Sequence, residues 1–191
     1  MGPRTLSRGA VPPHARDVSV ALPEPGQIEV RPVVLRDGTP VLLRPMDAGD
    51  AARLVRFHEA LAPETTYLRF FSVHPHLSDP EVHRFTHVDH RDREAIVALA
   101  ADEIVAVARF DRIPEGEDAE VAFVVADAWQ ELGLGTALFR QLADRARAVG
   151  VRRFTAETLP HNRRMLNVFL HAGLPVETTM QDGVVHALIE L

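Results

Sequence analysis

The chain has 191 residues, a formal net charge of −6 and 46% hydrophobic side chains, enough to build the core of one domain. It contains no cysteine, which excludes disulfides, thiolate zinc sites and a cysteine nucleophile, and no apolar run reaches the roughly 18 residues that cross a bilayer. The acidic balance speaks against nucleic acid and anionic lipid as partners and suits a cationic amine; the first residues lack the apolar centre of a signal peptide, so the expected location is the cytoplasm.

Residues 1–30 carry Pro3, Pro12, Pro13, Pro23 and Pro25 with little periodic hydrophobicity and read as a mobile arm, in which only 18–22 has strand character. A single domain is expected over 31–191. Arg36-Asp37-Gly38-Thr39 predicts a hairpin turn into a strand at 41–44. Asp47 and Asp50 form a capping pair for a helix whose Leu54, Val55, His58 and Leu61 share one face. Short helices are predicted over 64–71 and 79–85, then strands over 95–100, 104–110 and 119–126, turned by Asp102-Glu103 and by the acidic loop 114–118. A long helix over 133–148 repeats Leu134, Leu138, Leu142 and Ala146 at helical spacing and ends at Gly150; its Arg140, Arg145 and Arg147 read as solvated. A strand at 153–157, a helix at 162–171 and a final strand at 184–191 complete the order. Strands that first meander and then alternate with helices predict a mixed α/β sheet with helices on both faces.

Between the 119–126 strand and the long helix stands Gln130-Glu131-Leu132-Gly133-Leu134-Gly135-Thr136. A glycine-rich turn feeding a helix start offers unpaired N–H groups and the positive end of the helix dipole, a seat for a pyrophosphate. The alternative is a helix start that merely tolerates two glycines.

Gln-x-x-Gly-x-Gly after such a strand resembles the acetyl-CoA loop of the GNAT superfamily of N-acetyltransferases, with Glu120 upstream and Asn162 after the next strand in matching places. Within it, the chain resembles the catalytic domain of bacterial Pat-type protein lysine acetyltransferases. The residues that carry this are Arg44-Pro45, the run 63–71, Leu77-Ser78-Asp79, 85–89, Asp92-Arg93, 119–123 and 162–166. The resemblance implies the GNAT fold, a mostly antiparallel central sheet with splayed central strands, and acetyl-CoA as acetyl donor. It implies that Phe123, Val124, Val125 and Ala126 line the pantetheine arm. It also implies that residues 130 to 136, Asn162, Arg164 and Phe169 complete the cofactor site, with no metal.

Glu120 shares a strand face with Ala122 and Val124. Its carboxylate either lies at a solvated strand end or sits in a cleft with a raised pKa. An amine of pKa near 10.4 must lose a proton before it attacks a thioester, and the resemblance makes Glu120 the base that takes it. It likewise implies that the Val124 N–H polarises the thioester carbonyl. Asn162 is a natural N-cap, and in similar enzymes its position also bonds the cofactor. Two residues depart from the family pattern. Phe169 stands where many relatives place a tyrosine to protonate the departing thiolate, and Leu132, after Glu131, stands where a basic residue is common, with Arg163 and Arg164 able to compensate. His83, His87 and His90 are spaced as metal ligands could be, but lack an accompanying carboxylate pattern.

The expected reaction is direct acetyl transfer from acetyl-CoA to an amine, with a protein lysine, such as that of an acyl-CoA synthetase, as acceptor. The alternatives are a small-amine acetyltransferase and a catalytically silent acyl-CoA-binding module. Pat-type proteins often carry a regulatory domain, and the arm before residue 31 is too short to be one, so no response to a cyclic nucleotide is expected.

Overall fold

The computed structural model describes residues 30–191; residues 1–29 of the expected arm, including its 18–22 strand, lie outside them. Strands β1 (Arg31–Val34) and β2 (Pro40–Pro45) form the first hairpin. Its turn is set by Gly38 at φ +87° and by Asp37, whose carboxylate accepts from the Thr39 N–H at 3.0 Å. Asp47 and Asp50 exchange the reciprocal capping bonds that their spacing predicts, around a 3-10 turn (Ala48–Asp50) that leads into α1 (Ala51–Glu59). Asp50 is fully buried because the Arg44 guanidinium meets it with two bonds of 2.6 and 2.7 Å. Helix α2 (Pro63–Phe70) starts on a proline and stops at Phe71, which is left-handed. In α3 (Asp79–Thr86), the Glu81 carboxylate returns to the Ser78 N–H at 2.8 Å.

The central strands are β3 (Arg93–Ala100), β4 (Glu103–Arg112) and β5 (Asp118–Val125), followed by α4 (Leu134–Ala148), β6 (Arg153–Thr158), α5 (Arg163–His171), β7 (Val176–Gln181) and β8 (Val184–Glu190). They join in one sheet of order β1-β2-β3-β4-β5-β6-β8-β7, antiparallel throughout except where β5 meets β6. This is the mixed α/β architecture the pattern predicts. Strand β7 is an addition. It is an exposed edge with no apolar alternation, held by a two-residue Asp182-Gly183 turn in which both residues take positive φ.

Alternation along the strands divides the core in two. Ile96, Ala98, Ala108, Phe110, Val121 and Phe123 pack under α4 and α5, whereas Ala95, Val97, Leu99 and Val107 meet Leu54, Phe57 and Leu61 on the α1 side. Arg145 corrects the expectation of a solvated arginine. Its guanidinium reaches Glu94 of β3 at 3.0 and 3.1 Å, and Glu94 is 1% exposed. Arg140 instead donates to the last carbonyls of α5 at 3.2 and 3.3 Å, and Arg147 pairs with Asp144 on the surface. Arg145→Ala leaves Glu94 Oε2 buried without its guanidinium partner, His90 and the Ala95 N–H meeting only Oε1, an expected cost of about 3–5 kcal/mol. At this chain length that lowers Tm by roughly 6–20 °C, and the joint replacement of both residues by Met should recover most of the loss. Calorimetry of the single and double variants checks it.

Candidate active site

Strand β6 pairs with β5 at Asp118–Arg153, Ala119–Phe154 and Glu120–Thr155 only, and beyond that point β6 continues with β8. The edge of β5 past Glu120 is therefore open. A cleft of about 510 Å³ runs along it, with Phe123, Val124 and Val125 as its floor. One wall is the loop and first turn of α4, through Gln130, Glu131, Gly133, Gly135 and Thr136. The other sides come from Asn162, Arg164, Met165 and Val168 near α5 and from Thr65, Leu68 and Arg69 of α2. The volume suits a ligand of cofactor size.

The loop leaves the start of α4 open to the cleft. Glu131 (φ +63°) and Gly133 (φ +90°) turn the chain, and no side chain caps the start of α4. Its first-turn N–H groups, at Leu134, Gly135 and Thr136, have no acceptor one turn back. At Gly135 an added Cβ would come within 3.1 Å of Val168, so α4 starts as close to α5 as glycine allows. The Gln130 amide donates to the Val125 carbonyl at 3.0 Å. Asp127 ties this side to α2, accepting from the Thr65 hydroxyl at 2.6 Å and the Ala62 N–H at 3.0 Å. Burial opposes ionisation of Asp127, yet these bonds outweigh it and hold its carboxyl below the ordinary range.

Of the expected site residues, the cleft brings together Phe123, Val124, Val125, Gln130, Glu131, Gly133, Gly135, Thr136, Asn162 and Arg164. Ala126 packs with the α1 side of the core, and Leu132 and Leu134 pack under the loop. Phe169 is placed otherwise than expected. It is 1% exposed and its ring meets Phe123 and Phe139 at 5.7 and 5.6 Å, so it supports the cleft from the core. Asn162 caps α5, its Oδ1 accepting from the Met165 N–H at 3.1 Å, which leaves the amide NH₂ free to donate. Arg164 is engaged with Glu131 at 3.0 Å.

The ladder corrects the role expected of Val124. The Ala126 N–H donates to Val105 at 2.9 Å and the Ile113 N–H to Asp118 at 2.9 Å. Because antiparallel pairs alternate, Val124 opposite Val107 belongs to the same bonded set and turns its N–H toward β4. The N–H groups on the open edge are those of Phe123 and Val125.

Glu120 is exposed, at the point where β5 and β6 part, outside the residues that line the cleft. Opposite it on β4, Asp111 is committed to Arg109 at 3.1 Å and Arg84 at 3.3 Å. Nearby, Arg69 stands half-buried with no ion-pair partner among the described residues. Burial, and then Arg109, push its guanidinium down to about 10, while Glu120 and Asp111 pull it up. Arg69, Thr65, Trp129 and Arg36 are cleft residues that the sequence reading missed. On α5, Met165 and Val168 could have been found from helical spacing alone, since they follow Asn162 on one face. Of the three spaced histidines, His83 and His87 stack on each other at 3.9 Å and His90 bonds Glu94 at 2.8 Å.

Comparison with known proteins decides the family. The model of the acetyltransferase (GNAT) family matches residues 54–174. The chain belongs to the GNAT family of acetyltransferases. An acetyltransferase of Pseudomonas aeruginosa is 30% identical over 160 residues, covering 81% of this chain and 86% of that protein. The crystal structure of the GNAT domain of S. lividans Pat superposes with a TM-score of 0.80 at 43% identity, over 85% of this chain and 97% of that one. The acetyltransferase Pat of Mycolicibacterium smegmatis is 36% identical over 147 residues, 74% of this chain; the match spans 43% of the length of that Pat. Acetyl-CoA is the acetyl donor of this GNAT enzyme. Among the described residues, no helix is long and apolar enough to cross a membrane.

Proposed function

We propose that this GNAT acetyltransferase acetylates a lysine side chain on a protein, with Glu120 as general base. The observation that carries the protein acceptor is the surface beside the cleft. Helix α2, whose Leu68 and Arg69 wall the cleft, turns Tyr67 (45% exposed) outward, and Phe71 (38%) and Val73 (88%) follow it. Exposed aromatic and aliphatic side chains on, and just after, a helix that walls the cleft suit a protein surface better than a small solute. They lie in and just after the run 63–71 that resembles Pat. The exposed acids Glu115 and Glu117, on the loop before Glu120, favour a basic partner surface, and salt should weaken that attraction, whereas Asp118 is held by Arg153 at 2.8 and 3.0 Å.

Acetyl-CoA supplies an acetyl group activated as a thioester. The uncapped start of α4 and Gly133 suit its pyrophosphate, Asn162 an amide of the arm, and the open edge of β5 the pantetheine. With the phosphates at the loop, the arm meets the Val125 N–H before the Phe123 N–H, which lies nearer Glu120. The Phe123 N–H is thus the donor aimed at the acetyl oxygen, where negative charge grows as the amine attacks. Glu120 receives the amine proton. No tyrosine occupies the leaving-group position, so the thiolate departs unaided, tolerable for a thiol of pKa near 8.5.

The test is to incubate the chain with acetyl-CoA and a purified acetyl-CoA synthetase and to map modified lysines by mass spectrometry. Stoichiometric acetylation of one lysine with loss of synthetase activity is expected. Scattered, substoichiometric labelling alongside rapid turnover of a polyamine or aminoglycoside would assign a small-amine acceptor instead.

A further inference from the structure

We infer that Arg36, from the β1–β2 turn far from the loop in sequence, is the cation that meets the pyrophosphate of acetyl-CoA. The inference rests on the cofactor placement proposed above and names a residue outside the glycine loop.

The starting point is a charge deficit in the loop. Glu131 adds a negative charge where the cofactor's phosphates would lie, and Leu132 brings no positive one. The two arginines that could compensate do not supply a free charge there. Arg163 does not line the cleft, and the Arg164 guanidinium is taken up by Glu131 at 3.0 Å. That pair cancels the unfavourable acid but leaves no net positive charge.

Arg36 fills the deficit from across the fold. Its backbone N–H donates to the Leu132 carbonyl at 3.1 Å, which pins the β1–β2 turn onto the loop. Its side chain lies over the face of Gly133, where an added Cβ would meet Nε at 3.5 Å, Cγ at 3.7 Å and Cδ at 3.9 Å. It lines the same cleft as Gly133, Gly135 and Thr136. The neighbouring carboxylate cannot claim it, because Asp37 turns both oxygens to Thr39, accepting from its N–H at 3.0 Å and its hydroxyl at 2.9 Å. Among the described residues no carboxylate lies within ion-pair distance of Arg36. An exposed guanidinium on a chain anchored at its backbone, with its stem laid along Gly133 and its head unpaired, is available to a phosphate, and its planar fork can take two oxygens at once. The position beside Gly133, at the start of α4, points to the pyrophosphate rather than the 3′-phosphate.

Arg36→Met removes the charge while keeping a stem over Gly133, and Arg36→Lys keeps a point charge without the fork. Binding is read from the fluorescence of Trp129, the chain's one tryptophan, which lines the cleft. The ligands are acetyl-CoA, 3′-dephospho-acetyl-CoA and S-acetylpantetheine, which carries no phosphate. Arg36→Met is expected to raise Kd about 10- to 100-fold for the first two alike, the range for a lost charged hydrogen bond. It should leave Kd for S-acetylpantetheine unchanged and flatten the salt dependence of acetyl-CoA binding. Arg36→Lys should fall between. Equal acetyl-CoA affinity in Arg36→Met and the parent overturns the inference. So does a loss confined to the ligand with the 3′-phosphate, or an equal loss for S-acetylpantetheine, which would make Arg36 a packing residue. If the parent protein itself binds no acetyl-CoA, the cofactor placement fails, and this assignment with it.

Discussion

Glu120→Gln is expected to lower kcat by about 10²–10⁴ near pH 7, the span of a lost general base. An amine with pKa near 10.4 pays about 4.6 kcal/mol to become neutral at pH 7, and the carboxylate at the parting of β5 and β6 is the group proposed to remove that obstacle. Asp111, its cross-strand neighbour, cannot stand in, because Arg109 and Arg84 hold it. The amide is close in size, and Glu120 is exposed and outside the cleft lining, so fold and acetyl-CoA binding should survive. The deficit must also depend on pH. Each unit of pH makes the free amine roughly tenfold more available, so between pH 7 and 9 the deficit should shrink by about 10². Release of CoA thiol at saturating acetyl-CoA, followed across that range, measures it. A variant that matches the parent throughout removes Glu120 from the mechanism, and a deficit that stays constant with pH assigns it a role other than deprotonation.

The parts legible in the sequence were those written in local pattern. Gln130 to Thr136 could be read because two glycines before an apolar helix repeat are a local signature, and Asp47 with Asp50 because a capping box spans four residues. Strand β7 escaped because an edge exposed along its length carries no alternation; only the Asp182-Gly183 pair marked it. Arg145 and Arg36 escaped for another reason. Each has an unremarkable helix or turn around it, and its partner, Glu94 in one case and the Leu132–Gly133 loop in the other, is brought up only by the tertiary fold. The role of Val124 turned on which N–H groups face the open edge. That parity follows from the register of β5 against β4, and one residue of slip would reverse it.

Gly133→Glu is expected to abolish the stabilisation that acetyl-CoA confers. At 100 times its Kd a ligand adds about 2.7 kcal/mol to the folded state, and for a chain of this length that raises Tm by roughly 5–10 °C. Two effects at residue 133 remove it. The backbone there stands at φ +90°, a region that side chains other than glycine enter at a cost of about 1–3 kcal/mol. The apo variant should therefore melt a few degrees lower, or the loop should shift and lose its shape. The new carboxylate would also stand at the start of α4 within reach of Arg36, repelling a phosphate and engaging that guanidinium. Contact alone is not the cause, since the nearest Arg36 atom to an added Cβ is at an ordinary 3.5 Å. Gly133→Ala separates the two effects: it should share the lowered apo Tm yet keep part of the upward shift with acetyl-CoA. Thermal melts of the three proteins at increasing acetyl-CoA decide the matter. An upward shift in Gly133→Glu equal to that of the parent would mean that the cofactor's phosphates lie elsewhere than at this loop.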